Sequence, residues 1–67
     1  MNTQYSMVIQ WDNEDKIYII SVPELPGCRT HGRTYEEAIH NALEVIDLWI
    51  EAAQKVGEPI PPPSLAA

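Results

Sequence analysis

The sequence predicts an α+β domain, a small antiparallel β-sheet with one long helix packed on one face, in the order β-β-β-α. Three features carry that expectation. Apolar residues alternate through the first 22 positions and are interrupted once by the polar cluster Asp12-Asn13-Glu14-Asp15. The segment Val22-Pro23-Glu24-Leu25-Pro26-Gly27-Cys28 then stops the ladder, because its two prolines have no N–H to donate and its glycine is free to turn. Thr34 stands three residues before Glu37 at the head of a stripe with helical spacing.

In strand one, Tyr5, Met7, Ile9 and Trp11 alternate with Ser6, Val8 and Gln10, which turns one face to a core. The polar cluster makes a hairpin turn, and Lys16 to Val22 resumes with Ile17, Tyr18, Ile19, Ile20 and Val22. Strand two is therefore apolar at both parities: Ile17 and Ile19 point one way, Tyr18, Ile20 and Val22 the other. One helix covers one face, so the surplus predicts a protein partner or a self-association surface. Strand three, Cys28 to Gly32, is short and polar, as expected of an edge.

Thr34 is read as an N-cap in a capping box with Glu37, and the helix as running from Tyr35 to Val56. Its core stripe is Ala38, Ile39, Ala42, Leu43, Ile46, Trp49, Ile50 and Ala53. Glu36 and Glu37 complement the positive helix start, Glu51 and Lys55 sit at i, i+4, and Gly57 offers a left-handed stop. Residues 1–57 thus make one domain. Residues 58–67 are a proline-rich tail in which Ile60 offers a short edge contact.

A chain of 67 residues is close to the lower limit for a single core, and burial at that size leaves about 3–5 kcal/mol of net stability. Its one cysteine, Cys28, has no partner for an internal disulfide and is read as a small hydrophobe of the sheet. The first residues lack a basic region and a long apolar run, so neither a secretory signal nor a membrane span is expected, and the chain is placed in the cytoplasm. Ten acidic against four basic residues give a net charge of −6, which repels phosphate backbones and favours a basic partner over nucleic acid.

The hairpin, the segment VPELPGCRTHGRTYEEAI and the helix ending in LWIEAA resemble the N-terminal domain of the HicB antitoxin family, over nearly the whole chain. That resemblance implies a partial ribonuclease H-like β-β-β-α-β unit with Ile60 near a small last strand. It also implies an inhibitor of a small basic toxin, HicA, which has a double-stranded-RNA-binding-like fold and cleaves messenger RNA with a histidine. Many HicB antitoxins carry a C-terminal DNA-binding module. Nothing after Gly57 builds one, so no direct DNA binding is expected.

The topology raises the question of catalysis, and the residues answer against it. Two-metal chemistry needs carboxylates converging on an open face, whereas Asp12, Glu14 and Asp15 crowd a surface turn and the helix acids have no acidic counterparts inside strand one. Cys28 and His31 have a C-x-x-H spacing but lack the further ligands of a zinc site, and Glu36, His40 and Glu44 read as a solvated helix face. No enzyme activity, cofactor or metal is expected. The interface candidates are Trp11, Tyr18 and Ile20 on the strands, together with Glu24, Leu25 and Pro26 as the exposed part of the proline turn. Two functions remain open: a toxin-neutralising domain, and a homo-oligomer serving as a scaffold or sensor with no toxin partner.

Overall fold

A computed structural model describes residues 4–63. Three strands, β1 (Val8–Asp12), β2 (Ile17–Ser21) and β3 (Arg29–Gly32), are followed by one helix, α1 (Tyr35–Val56). The strands form an antiparallel sheet in the order β1-β2-β3, with Ile9 opposite Ile20 and Trp11 opposite Tyr18 in the first pair, and Tyr18 opposite Gly32 in the second. The predicted class and element order are those of the structure.

The hairpin turn is held by Asp12, whose Oδ1 accepts the amides of Glu14 at 2.9 Å and Asp15 at 3.3 Å. Lys16 closes it with a left-handed φ of 55°. Helix entry is fixed by Thr34 Oγ1, which accepts the Glu37 amide at 3.0 Å. The reciprocal bond of the expected capping box falls one residue earlier, because Glu37 Oε1 takes the Arg33 amide at 2.9 Å. The helix ends in a Schellman turn: Gly57 has φ 72°, its amide reaches the Gln54 carbonyl at 3.2 Å, and the Glu58 amide reaches that of Ala53 at 3.0 Å.

The helix comes unusually close to the sheet where Gly32 meets its first turn. A Cβ on Gly32 would lie 2.7 Å from Ala38 Cα and 2.9 Å from the Glu37 carbonyl carbon, so only glycine lets the two backbones meet there. Ala38 and Ala42, small and fully covered, continue the seam over Ile20. A second cluster of Tyr5, Val22, Leu25, Cys28 and Ile46 fills the other half of the core, with Trp49 and Ile50 packed against it. Ile39, expected in the core stripe, is 38% exposed.

Three boundaries differ from the expectation. Strand one begins at Val8 rather than Tyr5, and Tyr5 is buried just before it with its hydroxyl donating to the Pro61 carbonyl at 2.7 Å. Cys28 ends the proline turn instead of opening β3. Ile60 is half-buried but starts no last strand among the described residues, since prolines at 59, 61, 62 and 63 remove the donors a ladder needs.

Candidate functional site

The proline turn is a closed structure of two successive β-turns. The Leu25 amide donates to the Val22 carbonyl at 3.1 Å and the Cys28 amide to that of Leu25 at 3.0 Å, while the Val22 amide reaches the Cys28 carbonyl at 3.0 Å across the base. In the second turn Pro26 and Gly27 occupy the central positions, and the φ of 76° at Gly27 is what a type II turn requires there. Val22 and Leu25 thereby point inward, and Leu25 is 1% exposed in the core.

Glu24 is buried as well. Its carboxylate takes the Ser6 amide at 3.1 and 3.0 Å on its two oxygens and the Ser6 hydroxyl at 3.0 Å, tying the N-terminal segment to the turn. Burial alone would raise its pKa, but the Ser6 amide, its own amide and the Ser6 hydroxyl together hold the carboxyl below its ordinary value. On the other side Trp49 Nε1 donates to the Pro26 carbonyl at 3.0 Å. The expectation that Glu24 and Leu25 are exposed is therefore corrected. The turn inserts them into the domain and leaves Pro23, Pro26 and Gly27 outside.

The two faces of the sheet are also exchanged relative to the expectation. As interface candidates Tyr18 and Ile20 belong on the uncovered flank, but they share the helix side with Ile9 and Trp11, and Ile20 is fully buried beneath Ala38 and Ala42. The outer face carries Val8, Gln10, Ile17, Ile19, Arg29 and His31, with a hollow of about 240 Å³ beside Ile17, Ile19 and His31. It is a mixed surface: Val8 is 44% exposed and the two isoleucines are half-buried among polar neighbours.

On the helix side Trp11, 50% exposed, meets Tyr18 edge-on with ring centroids 4.9 Å apart, and Tyr18 stacks on Tyr35 at 4.1 Å. Burial, and then the Tyr35 hydroxyl beside it, raise the Tyr18 pKa above its usual value. Tyr35 is 57% exposed, a surface residue that the sequence reading did not single out. Its aromatic ring at the first helical position was the available signal. A second apolar surface is a groove of about 580 Å³ lined by Pro26, Trp49, Val56, Pro59 and Pro61.

Among the described residues no three His, Cys, Asp or Glu side chains gather into a group that could hold a metal ion. Cys28 is buried in the core, where burial pushes its thiol pKa up, whereas His31 is exposed on the outer face, so the C-x-x-H pair does not converge. His40 pairs with Glu44 at 2.9 Å on the solvent face of the helix. Among the described residues no helix is long and apolar enough to cross a membrane.

Comparisons with known proteins identify the family. The family model described as HicB-like antitoxin of bacterial toxin-antitoxin systems matches residues 5–67. A UPF0150 protein of Thermoplasma acidophilum is 45% identical over 58 residues, covering 87% of this chain and 83% of its own length. One from Archaeoglobus fulgidus is 36% identical over 53 residues, 79% of this chain and 75% of that protein. An uncharacterized 14.9 kDa protein of Haemophilus phage HP1 is 43% identical over 44 residues, which span 66% of this chain and 33% of the phage protein. No solved structure gives a significant match. With the family model covering almost the whole sheet-and-helix unit and two archaeal relatives matching along most of their length, the chain belongs to the HicB-like antitoxin family.

Proposed function

We propose that this chain is a non-enzymatic protein-binding domain that neutralises a HicA-type mRNA-cleaving toxin in the cytoplasm by forming a direct complex with it. The family match over residues 5–67 carries this reading. The charge of −6 supports a basic partner, and the exposed Trp11, Tyr35 and Ile39 provide the aromatic and aliphatic anchors on which protein interfaces depend. Three of the ten acidic residues have structural roles: Asp12 caps the hairpin turn, Glu24 holds Ser6 and Glu37 caps the helix start.

The test is co-expression with a HicA-type toxin, following growth and messenger RNA integrity, with co-purification at micromolar concentration. Restored growth and a stable complex are expected. A toxin that stays fully active with no complex formed rejects the reading.

The alternative is a homo-oligomeric scaffold or sensor without a toxin partner. It is favoured by the outer face, where Val8, Ile17 and Ile19 put apolar area at the surface of a small domain. Sedimentation equilibrium discriminates, because a strictly monomeric chain removes this alternative.

A further inference from the structure

The helix sits off-centre, and the strand it leaves uncovered is an edge. No Cα of β1 lies within 8 Å of a helix Cα, although β3 and β2 both approach it that closely. The sheet order leaves one side of β1 without a neighbouring strand among the described residues. The opposite edge is blunted, since Asn41 Nδ2 donates to the His31 carbonyl at 2.9 Å and Arg29 stands exposed on it. By contrast β1, Val8-Ile9-Gln10-Trp11-Asp12, has no lysine, proline or bulge of the kinds that protect an edge from pairing.

Beside this open edge, on the helix side, runs an apolar shelf. Trp11, Tyr18 and Tyr35 form a continuous aromatic contact, and Ile39 follows Tyr35 one helical turn on. Ile39 lies roughly 160° around the helix from Asn41, which faces β3, so it overhangs the β1 side. Charge is divided in the same sense. Asp12, Glu14 and Asp15 close the end of β1 and Glu36 follows Tyr35, while Arg29 and Arg33 bracket β3. Lys16, the cation in the hairpin turn, is bonded to Asn13 at 2.9 Å.

From this geometry we infer that β1 is a strand-addition edge that takes an extended segment of a basic protein. The segment pairs with Val8–Asp12 through main-chain hydrogen bonds, places apolar side chains on the shelf of Trp11, Tyr35 and Ile39, and sets lysine or arginine against the acidic turn and Glu36. Backbone pairing supplies affinity and the shelf supplies selectivity. Charge decides the class of occupant: a second copy would set another chain of net charge −6 against this one, whereas a cationic strand complements the acidic turn and Glu36. That this basic partner is a toxin rests on the antitoxin reading; the use of β1 as the docking edge and its preference for a cationic segment do not.

The experiment uses the full chain labelled with 15N and a synthetic peptide alternating lysine and valine, with a glutamate–valine peptide as control. The expected result is amide shifts concentrated in Val8–Asp12 and the Trp11 indole, slowed hydrogen exchange along β1, and little response to the acidic peptide. Ile39→Lys and Trp11→Lys, checked for folding by circular dichroism, should each weaken the lysine peptide by about tenfold or more. Shifts centred on Arg29–Gly32 or on Ile17 and Ile19, equal response to both peptides, or dimerisation through β1 without peptide would each overturn the proposal. Toxin neutralisation with β1 unperturbed by the toxin rejects strand addition alone. A β1 response to the peptide without any neutralisation rejects the antitoxin reading alone.

Discussion

Gly32→Ala is the substitution on which this packing can be tested most sharply. The added methyl group would overlap the Ala38 backbone nitrogen and lie 2.7 Å from the Ala38 Cα, where ordinary contact begins near 3.4 Å, so the helix start must retreat by roughly 1 Å. The obstacle is backbone of the first helical turn, which has no rotamer to change, and that turn is pinned by the Thr34 and Glu37 caps. Overpacking of this kind costs about 1–3 kcal/mol. Replacing a glycine also restricts the unfolded chain and returns about 0.4–1 kcal/mol, leaving a net loss on the order of 1–2 kcal/mol. For a domain of this size each kcal/mol lowers Tm by about 4–8 °C, so the variant should melt roughly 5–15 °C below the parent. Thermal melts followed by circular dichroism at 222 nm and urea titrations give the two numbers independently. A Tm within about 2 °C of the parent, or above it, would show that the helix start floats on the sheet and would refute the reasoning.

Three further outcomes follow from the same contacts. Glu24 has a folded pKa below its unfolded value, so its contribution to stability is present above pH 4.5, the ordinary carboxyl value, and is lost as pH falls through the folded pKa; urea midpoints of the parent and Glu24→Gln should differ at neutral pH and converge under acid, and a gap independent of pH would contradict the Ser6 clamp. Thr34→Ala removes the bond to the Glu37 amide and should cost about 1 kcal/mol in urea unfolding, with Thr34→Ser restoring most of it. Ile46→Ala empties a fully buried position between the proline turn and the helix and should cost about 2–5 kcal/mol, enough to unfold much of the population at 37 °C; a folded, cooperative variant losing under 1 kcal/mol would mean that the cluster is not packed as described.

The helix was legible because its signals are local. Thr34, Glu37 and Gly57 are read within a turn of themselves, and the limits Tyr35 and Val56 follow from them. The proline turn was legible as a break in the ladder but not as a plug. Two prolines and a glycine announce turns, yet nothing local says that Leu25 will enter the core, or that Glu24 will be buried by partners as distant in sequence as Ser6. Ile39 was placed in the core because the periodic stripe assumes a helix centred on its sheet, and this one lies over β2 and β3 only.

The exchange of sheet faces has a more instructive cause. Strand two is apolar at both parities, so it gives no indication of which side the helix takes. The hairpin does. A four-residue turn between Asp12 and Ile17 makes those two residues partners, and stepping back along both strands places Ile9 opposite Ile20 and Trp11 opposite Tyr18. Since the alternation in strand one had already turned Ile9 and Trp11 toward a core, Tyr18 and Ile20 had to follow them under the helix, and Ile17 and Ile19 had to face out. What decided the buried face was therefore loop length combined with the parity of the neighbouring strand, both present in the sequence and neither visible in strand two alone. The same logic moves the surplus apolar surface of the sheet: with Ile20 used by the core, the residues left around the sheet to meet a partner are Trp11, Tyr35 and Ile39 along the β1 flank and the sparser Val8, Ile17 and Ile19 behind it.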